Sequence, residues 1–226
     1  MKWALVVLFL LTSPLSAAQV YQTQLRVAQA PRRMWGDNTI TSTHECIHWV
    51  NSQLRNRWGR PCFYTGAGTF VLLRSEPRTT LATVARQTQY RGGIYSLYLV
   101  EQQQDWNQQP SYLIDEWSAY LGASRVAIRQ DPACWSEVLY ALELAYYSSL
   151  LPESTKDVWR HLATQTLAIA DQANREKRCY SVRQNAWREW LRRELAGTNP
   201  VSITRPTRQA LVTRNSYVQS FQGGSS

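Results

Sequence analysis

The sequence predicts an α+β protein that is predominantly α: one domain with a small β-hairpin or sheet and about five to six helices. Three observations lead there. Apolar residues recur at spacings of three and four through most of the chain after Ser111. The β-prone runs are few and lie before residue 75. Glycines and prolines fall at the joins between periodic segments, where they stop helices and turn the chain.

The first eighteen residues read as a secretory signal peptide. Lys2 supplies the positive start, Trp3 to Leu11 is apolar, and Ser16-Ala17-Ala18 offers small residues for cleavage. The stretch is too short for a membrane span. No later segment approaches twenty apolar residues, so none is expected to cross a membrane. The expected location is secreted or periplasmic. Residues 19–198 are expected to form the domain, and 199–226, with Pro200, Pro206 and a Gly-Gly-Ser-Ser end, to be a disordered tail.

Within the domain, residues 20–28 alternate in polarity and suit a strand, with Tyr21, Thr23, Leu25 and Val27 on one face. A helix is expected from about 39 to 57, with Ile40, Ile47, Val50 and Leu54 as its apolar stripe and Gly59 and Pro61 beyond its end. Residues 62–74 read as a hairpin around Gly66-Ala67-Gly68. Thr79 to Gln87 reads as a short helix. Ile94 to Val100 fits a strand and a helix equally, and 101–110 reads as a connection or a helix end. Further helices are expected over Ser111 to Leu121, ending near Gly122; from an Asp131-Pro132 start to Leu151; from Ser154 to about Asn174; and from Val182 to Ala196.

The net charge of +9 is carried by arginine, since lysine occurs only at 2, 156 and 177. Arg175, Arg178, Arg183, Arg188, Arg192 and Arg193 cluster late in the chain. A basic last helix suits an anionic envelope polymer, or else a solvated face interspersed with Glu176, Glu189 and Glu194. No nucleic-acid motif accompanies the charge, so no nucleic-acid partner is expected. Four cysteines allow three pairings. In an oxidising compartment the favoured ones are Cys46–Cys62 and Cys134–Cys179, each joining neighbouring elements.

The chemistry centres on Thr43-His44-Glu45-Cys46-Ile47-His48-Trp49. This holds two of only three histidines, as His-Glu-x-x-His. On a helix His44 and His48 share a face and can grip one zinc ion, and Glu45 can serve as general base toward its water. Ser42 to Glu45 also fits a capping box, which would make Glu45 structural; both readings stand at this level. A catalytic zinc takes a third protein ligand. In Tyr112-Leu113-Ile114-Asp115-Glu116-Trp117-Ser118-Ala119-Tyr120, Glu116 falls on the side of Leu113 and Tyr120. An inward carboxylate there needs a cation, either a metal or an arginine. Tyr112 and Tyr120, one turn either side, and His161 are candidate transition-state donors, and Asp115 a candidate supporting group; His161 is also an alternative ligand.

With these two stretches the chain resembles the gluzincins, zinc metallopeptidases that join a His-Glu-x-x-His helix to a glutamate on a later helix. The resemblance implies a zincin-like domain, a peptide or protein substrate, zinc on His44, His48 and Glu116, and Glu45 activating water. It covers only these short stretches. The glutamate comes later than in thermolysin-like members; the lethal-factor-like toxin peptidases tolerate longer gaps. Two other readings use the same residues. One is a non-catalytic, disulfide-stapled envelope binding module with a Trp-rich surface, and the other is a degenerate zincin without turnover.

Overall fold

The computed structural model describes residues 19–25, 39–130, 135–176 and 181–197. The protein is α+β and mostly helical, with one small antiparallel sheet. The expected leader, the C-terminal tail, Cys134 and Cys179 lie outside the described residues, as does the Asp131-Pro132 helix start. No described helix is long and apolar enough to cross a membrane.

Helix α1 runs Thr39–Trp58 and buries Ile47, Val50 and Leu54 as the periodicity requires. Burying such side chains stabilises by roughly 1.5–3 kcal/mol each. Gly59, at a φ of 63°, donates its N–H to Arg55 O at 2.8 Å and closes the helix. Because α1 is continuous through Ser42, that residue cannot be an N-cap, and the capping-box reading of Glu45 is excluded.

Strands β2 (Cys62–Gly66) and β3 (Thr69–Leu72) form the expected hairpin. Its turn uses positive φ at Gly66, Ala67 and Gly68 (94°, 50° and 74°). The first predicted strand shrinks to β1 (Tyr21–Gln22), which pairs antiparallel to β3 and gives the order β1-β3-β2. Residues 26–28 of that prediction lie outside the described residues.

After α2 (Leu81–Gln87, capped by the Thr80 hydroxyl), the ambiguous stretch resolves as helix. Leu97–Glu101 makes a π-helical turn that passes into the short α3 (Gln103–Trp106). Then come α4 (Tyr112–Gln130), α5 (Trp135–Ser149), α6 (Lys156–Arg175) and α7 (Val182–Leu195). Ser181 and Gln184 form a capping box at the start of α7.

Helix α4 does not end at Gly122 as expected. It continues two turns further, and Gly122 serves the crossing with α1 instead. A Cβ on Gly122 would stand 1.9 Å from Ile47 Cδ1, so the two helices meet through the missing side chain. Around α4 the interior forms two clusters. The larger joins α4 to α5, α6 and α7 through Trp117, Leu121, Leu142, Tyr147, Leu162 and Leu191. The smaller packs α1 on the sheet through Ile47, Val50, Leu54, Cys62 and Phe70, with Ala119 of α4 closing it.

Two further expectations concern charge and sulfur. Arg183 pairs with the wholly buried Glu143 at 2.7 Å, while Arg188 and Arg192 both face Asp171, at 3.6 and 2.6 Å. These three arginines of α7 therefore pair with acids of the protein itself. The Cys46–Cys62 disulfide does not form; both residues are buried free thiols. Cys46 lies against Ser42 one turn back on its own helix, with Oγ and Sγ 4.0 Å apart. Cys62 packs among apolar groups beneath the sheet, where burial lifts its thiol to about 11 and keeps it protonated. Apolar packing, not a cystine, holds α1 to the hairpin.

Gly122→Ala should destabilise the protein by about 1–3 kcal/mol through overpacking. Adding Ile47→Val, which removes the clashing methyl, should recover part of the loss. Urea denaturation of the two variants checks both statements.

Candidate metal centre

His44, His48, Asn51 and Arg55 follow spacings of four, three and four, so α1 presents them as one stripe toward α4. The two helices run antiparallel at this contact. His44 meets Glu116 and Tyr120, whereas Asn51 and Arg55 meet Asp115.

The ligand atoms of His44, His48 and Glu116 all lie within 4.8 Å of one another. The Nε2 atoms of the two histidines are 3.1 Å apart. Glu116 places Oε2 3.4 Å from His44 Nε2 and Oε1 3.5 Å from His48 Nε2. The sequence-predicted trio thus converges. Glu116 is only 6% exposed, and its Oε2 has no hydrogen-bond partner among the described residues. A buried carboxylate oxygen without a donor is costly. The two Nε2 atoms are at hydrogen-bonding distance, so in the metal-free protein one ring carries the proton between them. A cation held among the three side chains relieves that cost of the unpaired oxygen. Two nitrogens and one carboxylate oxygen suit a divalent transition metal.

Asp115 supports the trio from behind. Its Oδ2 accepts from His48 Nδ1 at 2.7 Å, which fixes the ring and turns Nε2 inward. Its Oδ1 accepts from Asn51 Nδ2 at 2.6 Å. The same amide group donates to Ser118 Oγ at 2.8 Å, and Asn51 Oδ1 accepts from the Tyr64 backbone N–H at 2.6 Å. Asn51, fully buried, therefore ties α1, α4 and β2 together.

The electrostatics follow from this geometry. Burial opposes a charged His48, but the carboxylates of Asp115 and Glu116 outweigh it and push the imidazole up to about 10. Burial would likewise raise Glu116, yet the two imidazoles hold it well below the usual carboxylate range. Because the folded His48 value exceeds the ordinary 6.5, its protonation stabilises the metal-free fold below about pH 6.5. That contribution is lost as pH rises through about 10. Proton and metal compete for the same nitrogen.

The site opens into a cleft of about 620 Å³. Glu45, half-buried, lines it beside His44. Every described lining residue belongs to a helix or to the turn that joins two of them, and none of the described strands lines the cleft. Tyr112 and Tyr120 both line it, as does Tyr98 from the π-helical turn. Tyr98 donates to the Tyr120 hydroxyl at 3.1 Å. Burial, then the charge of Glu116, raises Tyr98 and Tyr112 far above an ordinary phenol. Burial foremost lifts Tyr120 to about 12. His161 is elsewhere. On α6 it accepts from the Gln165 amide at 2.8 Å, and burial and the Arg125 charge lower its pKa. It is not among the cleft residues.

Sequence reasoning missed Asn51, Arg55 and Tyr98. The first two were open to detection, since they continue the His44–His48 stripe. Tyr98 sits in a stretch whose periodicity fitted two structures. No protein-family model, no curated protein and no solved structure matches the chain.

Zinc titrated against a competing chelator should bind more tightly as pH rises, by roughly tenfold per unit between 6.5 and 8.5, as the His48 proton is displaced. Asp115→Asn should weaken binding by about 10–100-fold.

Proposed function

We propose that the protein is an exported zinc-dependent hydrolase of peptide bonds. One observation carries this reading: two imidazoles and a buried, unpartnered carboxylate oxygen converge beside a second carboxylate, Glu45, in an open cleft. His44, His48 and Glu116 would hold the ion, a donor set of the kind found in catalytic zinc sites. Bound zinc would supply Lewis acidity toward a carbonyl and toward water.

The remaining steps belong to side chains of this protein. Glu45 takes a proton from the attacking water and returns it to the leaving amine. Asp115 holds His48 in the tautomer that ligation needs. The phenols of Tyr98 and Tyr120 stay protonated at neutral pH, so they act as donors. Tyr120 accepts from Tyr98 and keeps its own O–H for the oxyanion of the reacting carbonyl.

Glu45→Gln should keep about one zinc per chain and lose 10²–10⁴-fold in the hydrolysis rate of a mixed peptide substrate. Zinc analysis alongside a fluorogenic peptide assay measures both. Full activity in the zinc-loaded variant would remove Glu45 from the chemistry. Zinc bound with no turnover by the unmodified protein would favour the degenerate or binding-module reading.

A further inference from the structure

Arg55 lies seven residues beyond His48, which is two turns less about twenty degrees, so both face the cleft. The axial separation of their Cα atoms is about 10 Å. Helical side chains lean back toward the N-terminus, which brings the guanidinium nearer to His48 than that. Its Nη2 is 4.0 Å from Asp115 Oδ1, beyond hydrogen-bond reach. Both Asp115 oxygens are already taken, one by His48 and one by Asn51. The Arg55 Nε–H is buried without an acceptor. Among the described residues, the guanidinium has its charge balanced at a distance and its planar fork unengaged. It stands in the wall of the cleft, about one-third exposed.

Such a fork matches a carboxylate in two parallel hydrogen bonds. We propose that Arg55 binds a substrate carboxylate placed one or two residues beyond the reacting carbonyl; this rests on the hydrolase reading above. An extended chain advances at most about 3.3–3.6 Å per residue, so one or two residues span the gap. Glu137 lines the cleft and acts on Tyr120, at the end remote from Arg55. Arg55 is the one arginine or lysine among the described lining residues, so it is the guanidinium or ammonium a substrate carboxylate meets there. The carboxylate is either the C-terminus of a short peptide or an Asp or Glu side chain.

The test uses the zinc-loaded Glu45→Gln protein, so that binding is read without turnover. Three pools of N-acetylated random tripeptides are compared by retention on the immobilised protein. One carries a free C-terminal acid, the second a C-terminal amide, and the third the amide with glutamate fixed at the last position. The free acid, the glutamate amide or both should be retained roughly ten- to a hundredfold more than the plain amide. Preference for the first pool identifies a terminal carboxylate, and for the third a side chain. Arg55→Gln added to this protein should erase the preference while zinc content and plain-amide retention persist; Arg55→Lys should restore only part of it. Equal retention of all three pools, retention of none, or a preference that survives Arg55→Gln, as it would if the carboxylate went to the zinc, overturns the proposal. The hydrolase reading stands or falls separately, on turnover by the protein with Glu45 intact.

Discussion

Two adjacent carboxylates, Asp115 and Glu116, are buried where α4 crosses α1, and the rest of the structure accommodates that fact. Neither could stay charged in an apolar interior alone. Glu116 has the two imidazoles at 3.4 and 3.5 Å, and Asp115 has the back of one imidazole and the Asn51 amide. The helices must hold a fixed register for these pairs to form. Sliding by one turn would set each acid against the wrong residue. The Gly122–Ile47 contact supplies that register in apolar form, because only at this point can the backbone of α4 come so close.

A similar arrangement recurs away from the cleft. Glu143 is wholly buried on α5 and faces Arg183 of α7 at 2.7 Å, while its Oε2 accepts from the Ile94 backbone N–H at 3.2 Å. A Cβ on Gly92 would stand 2.1 Å from that same oxygen. Here the glycine lets the chain approach the buried acid itself, whereas Gly122 serves an apolar contact. The difference lies in the partner. Glu143 Oε1 lies 2.7 Å from an arginine built into the fold, whereas Glu116 Oε2 has only an imidazole, at 3.4 Å, and its residue lines the cleft. That contrast separates an acid used for packing from one suited to holding a cation.

Much of this was legible in the sequence. Period and spacing gave the mostly helical architecture, the hairpin, and the pairing of His44 with His48 on one face, because each depends on local order; Glu116, on a different helix, was expected from its inward place and the gluzincin resemblance. What failed depended on contacts between elements. Gly122 reads as a helix end by composition and proves to be a crossing point, and no local pattern distinguishes the two. Cys46 and Cys62 suit a cystine by their position in the chain, yet each is satisfied as a small buried thiol. Tyr98 lies in a π-helical turn, whose period is neither that of a strand nor that of an α-helix, so its place beside Tyr120 could not be read in advance.

The bond from the Tyr64 N–H to Asn51 Oδ1 reaches further than its 2.6 Å. Asn51 holds Asp115, Asp115 holds His48, and β2 thereby becomes an anchor for an imidazole two elements away. The hairpin contributes no atom to the cleft, yet it acts as the chassis on which the ligand geometry is mounted. Changes to its turn would be felt as a drift in ring orientation before any loss of overall structure.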